Sequence, residues 1–222
     1  MTGRRLYLFD IDGTLIATGG AGSKAMAAAF AALWRREDGF ARVEFSGRTD
    51  RAILRDGLEA NGRAEGPFED LLRRFKRAYF RRLPGTLVST SGRVLLGVER
   101  LLQTLADDPA ATTGLATGNF RHSAGLKLRH YGISQFFRFG GFGDHVEGRE
   151  EMVAQALRSS RRFGRHDTVF VIGDTVHDVR SAKAHGAVAV GVTTGTAPAE
   201  VLSAAGADLI LSTLEEAAAK IV

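Results

Sequence analysis

The chain has 222 residues and a formal net charge of +5; 44% of its residues are hydrophobic and 25% are charged. This length and balance predict a folded protein with one sizeable core and room for a second small module, and they exclude wholesale disorder. Cysteine is absent, which excludes disulfides, thiolate nucleophiles and cysteine-based zinc sites.

No apolar stretch approaches the length that a membrane span needs. The run after Arg4-Arg5 faintly resembles a twin-arginine export signal, but Asp10 and Asp12 interrupt it. We therefore expect a soluble, cytoplasmic protein with no membrane partner. Whether it is a monomer or a homodimer is open at this point.

The first predicted element is the apolar strand 6–9, which runs directly into Asp10 and Asp12 and then into Gly13 and Thr14, the residues that set the turn. Carboxylates at a strand end are costly to bury and repel each other, so this pair would not by itself stabilise the fold. A divalent cation would offset the repulsion, because hard cations take oxygen ligands. Two solvated turn aspartates are the plain alternative for the pair taken alone.

Residues from about 20 to 90 predict a block of helices over 23–36, 50–60 and 67–82, with breaks at glycines and at Pro84-Gly85. The third helix would bury one apolar face and carry arginines around the rest. We interpret the arginines as a solvated face; steering of an anionic substrate and polynucleotide binding are the alternatives. The predicted buried face consists of Leu71, Leu72, Phe75, Ala78 and Tyr79.

Helices and strands alternate beyond this block. The predicted helices cover 97–106, 121–131, 149–161, 176–185 and a short final segment; the predicted strands cover 112–116, 137–140, 168–172, 187–192 and 208–211, with Gly140-Gly141 as a turn. Continuous apolar strands are typical of a parallel sheet that is covered on both faces. We therefore predict a doubly wound α/β core with a mostly parallel, Rossmann-like sheet (residues 1–18 and 88–222) and an inserted all-helical cap (residues 19–87).

Polar residues that suit the aspartate pair follow two later strands. Thr117-Gly118-Asn119 offers a hydroxyl and backbone N–H groups at a helix start, which suits a phosphoryl oxygen. Asp174 and Asp178 follow the strand at 168–172. Arg149 opens the helix between these two segments and could supply positive charge.

With these residues the chain resembles the haloacid dehalogenase superfamily of phosphatases, and within it the phosphoglycolate phosphatase group. The family's first motif, Asp-x-Asp-Gly-Thr-Leu/Val, matches 10–15; its second, Thr or Ser at a strand end, matches Thr117; its fourth, Gly-Asp-Thr-x-x-Asp, matches 173–178. The third motif departs, because many relatives have Lys-Pro where this chain has Arg149 followed by Glu150. The stretch 46–50 is similar to a Gly-Arg-Thr-Asp segment in relatives' caps.

The resemblance implies a role for each matching residue. Asp10 would be the nucleophile, and Asp12 would act first as acid and then as base. Mg²⁺ would be held by the Asp10 carboxylate, the Asp12 backbone carbonyl and Asp174. Asp178 would orient Arg149 or a metal-bound water. The implied phosphate-binding residues are Thr117, Gly118, Asn119 and Arg149, and Arg48 is the implied substrate contact of the cap.

We therefore expect a Mg²⁺-dependent phosphatase that acts on a small phosphorylated metabolite, with 2-phosphoglycolate as one candidate, through an aspartyl-phosphate. A phosphomutase of sugar phosphates would use the same carboxylates and stays open. A dehalogenase needs neither the metal nor an acid for a halide, so Asp12 and Asp174 argue against it. A non-enzymatic nucleic-acid-binding module would have no use for these residues, and we do not expect a nucleic-acid partner.

Overall fold

The computed structural model of the protein describes residues 3–62 and 66–222. Its strands, in chain order, are β1 (Arg5–Phe9), β2 (Ile16–Ala17), β3 (Arg93–Val94), β4 (Ala111–Thr117), β5 (Gly140–Phe142), β6 (Thr168–Gly173), β7 (Val188–Val192) and β8 (Leu209–Leu211). Its α-helices are α1 (Ala21–Trp34), α2 (Asp50–Ala60), α3 (Phe68–Ser89), α4 (Val98–Asp107), α5 (Arg121–His130), α6 (Arg149–Ser160), α7 (Val176–Ala184), α8 (Ala199–Ala204) and α9 (Ala217–Lys220). Short 3-10 helices cover Ser134–Phe136, Arg161–Phe163 and Leu214–Glu216.

All strands except β2 and β3 form one parallel sheet, in the order β5-β4-β1-β6-β7-β8. Phe9 at the end of β1 pairs with Leu115 of β4 on one side and with Ile172 of β6 on the other. Three adjacent strands therefore end at the same edge of the sheet, and the strand order reverses at this point. The predicted doubly wound α/β fold is confirmed.

Helices cover both faces of the sheet. Successive side chains of a strand point to opposite faces, and apolar side chains on both faces need to be buried. Along β1, Tyr7 and Phe9 belong to the apolar cluster that includes α4 and α5. Leu6 and Leu8 belong to the cluster that includes α6, α7 and α8. Within the described ranges, none of the helices combines the length and the apolar character that crossing a membrane requires.

Helices α1, α2 and α3, which we call the helical block, form a third apolar cluster. Phe120, which directly precedes α5, joins this cluster, so the block packs against the sheet domain there. The predicted division at residues 18/19 and 87/88 stays a prediction, and α3 runs past the second position. The predicted face of α3 is buried in this cluster: Leu71, Leu72, Phe75, Ala78 and Tyr79.

The end of α3 differs from the prediction, which placed a break at Pro84-Gly85. The helix continues through Pro84 to Ser89. Proline in a helix interior costs about 3 kcal/mol, because it lacks a backbone donor and clashes with the preceding turn. Leu83 and Leu87 lie on the buried face with 0% and 2% exposure, and burial of each is worth about 1.5–3 kcal/mol. Packing therefore outweighs the local preference.

The strand predicted at 137–140 lies later, at β5, where the prediction placed a turn. Gly141 pairs with Ala116 of β4, and a Cβ at position 141 would clash with the Met152 carbonyl oxygen of α6. The glycines therefore mark a strand that packs closely under a helix. The prediction also missed α8 and the antiparallel β2–β3 ribbon, which are too short for periodicity to reveal.

Candidate active site

Three predicted site residues lie where adjacent strands end. Asp10 follows β1, Thr117 ends β4 and Asp174 follows β6. They are 3%, 0% and 4% exposed. Open α/β sheets bind their ligands at such a point, where the strand order reverses at the carboxyl ends of the strands.

The turn after β1 explains the spacing of the first motif. Gly13 has a φ of +82°, which favours glycine, and a Cβ there would collide with the Asp174 carboxylate. The Thr14 hydroxyl donates a hydrogen bond of 3.1 Å to Asp174 Oδ1. Thr14, which we predicted only as a turn residue, therefore also orients the acid that follows β6.

Asp10, Asp174 and Asp178 form a buried acidic cluster, in which one carboxylate oxygen of each lies within 4.8 Å of those of the other two. Burial, and then the neighbouring carboxylates, raise the pKa of Asp174. Burial also raises the pKa of Asp10, although Arg149 opposes the shift. Asp10 Oδ1 is buried with no hydrogen-bond partner among the described residues. An orphaned oxygen within a group of three acids is suited to a hard divalent cation, so these side chains fit Mg²⁺.

Asp178 was not among the predicted metal ligands, and its contacts explain its position in the cluster. Its Oδ2 accepts hydrogen bonds from the backbone N–H (3.1 Å) and the hydroxyl (2.7 Å) of Thr175, which caps α7. Its Oδ1 accepts one from Arg149 Nη1. With both oxygens engaged, Asp178 is better suited to hold Arg149 than to bind a metal ion. The Asp12 side chain lies outside the acidic cluster.

Arg149 joins both sides of the site through three different atoms. Nη2 lies 3.1 Å from Asp10 Oδ2, Nη1 donates to Asp178 and Nε donates to the Gly47 carbonyl oxygen at 3.0 Å. Burial lowers its pKa, but Asp10 and Asp178 outweigh that effect and raise the pKa above the usual value. The guanidinium therefore stays charged beside the predicted nucleophile.

Asp12 belongs to a separate set of hydrogen bonds with Asn119, Thr117 and Lys127, which we call the Asp12 network. Asp12 Oδ2 accepts from Asn119 Nδ2 at 2.8 Å and from Lys127 Nζ at 2.6 Å. Asn119 Nδ2 also donates to Thr117 Oγ1 at 2.9 Å, and Lys127 Nζ donates to Asn119 Oδ1 at 2.6 Å. The network ties the second acid to the loop that follows β4.

Lys127 was missed by the sequence prediction. It lies in α5 beside Ala124 and Leu128, on the helix face that packs into the core, and is 3% exposed. The signal was present, because lysine is rarely buried without a partner charge. The partner could not be identified, since Asp12 lies 115 positions earlier in the chain.

The helical block reaches the site through the stretch 46–50. The Asp50 backbone N–H donates to the Gly118 carbonyl oxygen at 2.8 Å. A Cβ at Gly118 would clash with the Arg48 carbonyl oxygen, so the two backbones meet at a glycine. The Asp50 carboxylate accepts hydrogen bonds from Phe120 N (2.9 Å) and from Ser123 Oγ (3.1 Å). Asp50 is thus a further site-adjacent acid that we had not predicted.

A cavity of about 510 Å³ lies between the strand ends and the helical block. The Arg48 side chain lines it and forms an ion pair of 2.6 Å with Asp56. Thr117 is not among the lining residues; its Oγ1 accepts two hydrogen bonds from Asn119, which leaves its O–H as a donor. The predicted residues that line the cavity are Asp10, Asp12, Arg48, Gly118, Asn119, Arg149 and Asp174.

The family model for haloacid dehalogenase-like hydrolases matches residues 5–186 of this chain. Among curated proteins, none matches the chain significantly.

Solved structures share the fold along nearly the whole chain. A predicted phosphoglycolate phosphatase from Haemophilus somnus is 18% identical, with a TM-score of 0.73 and coverage of 99% of this chain and 98% of that one. CbbY from Rhodobacter sphaeroides, solved in complex with phosphate, is 20% identical with a TM-score of 0.71, and 97% and 96% of the two chains are covered. A provisionally named β-phosphoglucomutase from Thermotoga maritima is 22% identical with a TM-score of 0.64, covering 98% and 100%.

Proposed function

The chain belongs to the haloacid dehalogenase-like hydrolase family, and on this premise we propose that it is a Mg²⁺-dependent phosphatase that hydrolyses a small phosphomonoester through an aspartyl-phosphate. The observation that carries the proposal is the position of Asp10. It is a buried carboxylate at a strand end, with Arg149 on one oxygen and no hydrogen-bond partner among the described residues on the other. Stability alone would not retain such a group.

In the first step, an oxygen of Asp10 attacks the phosphorus of the bound ester. A carboxylate needs no base to become a nucleophile. The bond between phosphorus and the bridging oxygen breaks as the aspartyl-phosphate forms. The departing alcohol takes a proton from Asp12, whose side chain lines the same cavity.

In the second step, a water molecule attacks the phosphorus of the aspartyl-phosphate. Its proton passes to Asp12, which lost one in the first step and is now the base. The bond between phosphorus and Asp10 breaks, inorganic phosphate leaves and both carboxyl groups return to their starting states. One residue can serve both steps because the alcohol and the water occupy the same side of phosphorus.

Positive charge and hydrogen-bond donors around Asp10 would hold the transferring group. The Arg149 guanidinium is fixed by Asp178 and by the Gly47 carbonyl, so it meets the phosphoryl oxygens without reorganising. The O–H of Thr117 and the backbone N–H of Gly118 are the further donors that we propose for this group. When bound at Asp10 and Asp174, Mg²⁺ would shield the two anionic reactants from each other.

The substrate is proposed to be a small phosphorylated metabolite. A cavity of about 510 Å³ admits one such molecule, and Arg48 on its wall is the proposed contact from the helical block. The structural neighbour named as a predicted phosphoglycolate phosphatase makes 2-phosphoglycolate the first substrate to try.

The direct test is hydrolysis of a panel of phosphomonoesters, including 2-phosphoglycolate and p-nitrophenyl phosphate, with Mg²⁺ present. We expect phosphate release by the wild type and a loss of at least about 10³-fold in Asp10→Asn, which retains the shape but not the nucleophile. Lys76→Met is a matched control, because Lys76 pairs with Asp144 away from the acidic cluster. Activity of Asp10→Asn near that of the wild type would remove Asp10 as the nucleophile.

A phosphomutase is the second candidate, favoured by the structural likeness to the provisionally named β-phosphoglucomutase. In that reaction a second sugar hydroxyl replaces water in the second step. Interconversion of glucose 1-phosphate and glucose 6-phosphate without release of phosphate would establish it, whereas stoichiometric phosphate release would exclude it for these sugars.

A further inference from the structure

We propose that Lys127 is a positioning residue for the reaction, which holds Asp12 so that one carboxyl oxygen faces the departing alcohol. The inference rests on the proposed phosphatase function. Lys127 lies outside the motifs that match the family. Its contribution to the rate should be larger for esters with a poor leaving group than for esters with a good one.

The geometry of the Asp12 network separates the two oxygens of Asp12. Among the described residues, every hydrogen bond to this carboxylate ends on Oδ2, from Lys127 at 2.6 Å and from Asn119 at 2.8 Å. Asp12 is 41% exposed at its side chain and lines the cavity. Oδ1 is therefore the oxygen available to exchange a proton with a bound ester.

The lysine is built into the site rather than lying on the surface. Its side chain is 4% exposed, and Nζ donates to both Asp12 and Asn119. Burying an ammonium costs several kcal/mol unless it is well paired. An apolar residue on this face of α5 would avoid that cost, so packing does not account for lysine at position 127.

Lys127 and Asn119 hold Asp12 as a pair. Asn119 alone could swing with Asp12, but its Oδ1 is fixed by the ammonium and its Nδ2 by Thr117. Without Lys127, Asp12 would keep one of its two donors and would move toward solvent. A misplacement of about 1 Å can cost about 10²-fold in the step that depends on the group.

That step is protonation of the leaving oxygen, and its importance varies with the alcohol. A p-nitrophenolate ion leaves readily without a proton, whereas phenolate and alkoxides are much more basic and need one. The ratio kcat/KM depends only on the steps up to and including formation of the aspartyl-phosphate. Asp12 acts as the acid in that step. Loss of Lys127 should therefore lower kcat/KM more for poor leaving groups than for good ones.

The experiment compares kcat/KM of the wild type and Lys127→Met for p-nitrophenyl phosphate, phenyl phosphate and glycerol 1-phosphate, with Mg²⁺ present. We expect losses of about 10- to 100-fold for the last two and about threefold or less for the first. Lys127→Gln, which keeps a donor for Asn119, should show the same ordering if the methionine variant does not fold. In an Asp12→Asn background, Lys127→Met should add no further discrimination between the three esters.

Lys76→Met serves as the control, since this lysine is also ion-paired but contacts Asp144. Equal losses for all three esters in Lys127→Met would overturn the inference and leave the phosphatase assignment intact. A larger loss for the two poor leaving groups in Lys76→Met as well would have the same consequence. Absence of phosphate release from every ester by the wild type would overturn the proposed function and this inference with it.

Discussion

The carboxylate of Asp50, the first residue of α2, accepts a hydrogen bond of 2.9 Å from the backbone N–H of Phe120, which directly precedes α5. One residue of the helical block thus caps a helix of the sheet domain. A carboxylate at a helix amino terminus is stabilised by the unpaired N–H groups and the helix dipole. The same contact buries the Asp50 carboxylate, so the contribution of this residue to folding stability depends on pH.

Burial raises the pKa of Asp50 from 3.8 to about 6, although Lys127 and the Phe120 N–H oppose the shift. Between these values the unfolded chain releases the proton while the folded protein keeps it. Folding stability from this residue is therefore present below about pH 4, declines as the pH rises and levels off above about pH 6. The total change is of the order of 3 kcal/mol.

Urea unfolding of the wild type and Asp50→Asn between pH 4 and pH 7 measures this contribution. We expect the free energy of unfolding of the wild type, relative to the variant, to fall as the pH rises. A constant difference across this range would show that Asp50 has the same pKa in both states.

Mg²⁺ should stabilise the folded protein, because the acidic cluster exists only when Asp10 and Asp174 are brought together. At a metal concentration of 100 times Kd, the gain is about 2.7 kcal/mol. We expect Mg²⁺ to raise the melting temperature of the wild type and to have little effect on Asp174→Asn. EDTA should reverse the shift. Equal shifts in both proteins would place the metal ion elsewhere.

Arg149→Lys should bind phosphate more weakly, although the charge is kept. A lysine ammonium cannot reach Asp10, Asp178 and the Gly47 carbonyl in the fork geometry that arginine provides. Loss of one charged hydrogen bond costs about 1.5–3 kcal/mol, which is about 10- to 100-fold in affinity. The inhibition constant of inorganic phosphate measures this change; an unchanged constant would show that Arg149 does not contact the anion.

Two fully buried tyrosines should respond differently to loss of the hydroxyl. Tyr7 donates to the Ile221 carbonyl oxygen at 2.6 Å, whereas the Tyr79 hydroxyl has no hydrogen-bond partner among the described residues. We expect Tyr7→Phe to lose about 1–2 kcal/mol of unfolding free energy and Tyr79→Phe to lose less than about 0.5 kcal/mol. Urea unfolding at pH 7 compares the two directly. A larger loss for Tyr79→Phe would mean that its hydroxyl has a partner such as bound water.

Local pattern was enough to predict the fold class and to place Asp10 and Asp174 at neighbouring strand ends, but it did not place Asp178 in the acidic cluster. Continuous apolar strands indicate a parallel sheet, and acids that directly follow such strands must meet at one edge. The contacts that organise the site were harder to predict from the sequence. Lys127 and Asp50 act through partners 115 and 70 positions away, and no local signal specifies such pairs.

Two errors in the predicted elements have the same origin. Pro84 and Gly141 were interpreted by their intrinsic preferences, as a helix break and a turn. In the folded protein, Leu83 and Leu87 keep the helix packed past the proline, and Gly141 allows α6 to lie close to β5. Tertiary packing determines both the length of the helix and the position of the strand, and such packing cannot be deduced from a single sequence.

The β2–β3 ribbon joins the two segments by which the chain leaves the sheet for the helical block and returns to it, with Ile16 paired to Val94 and Ala17 to Arg93. Both crossings lie side by side, so the two covalent connections between the helical block and the sheet domain are held together at one place. A rigid rotation of the helical block that preserves this backbone pairing would need its axis close to these four residues.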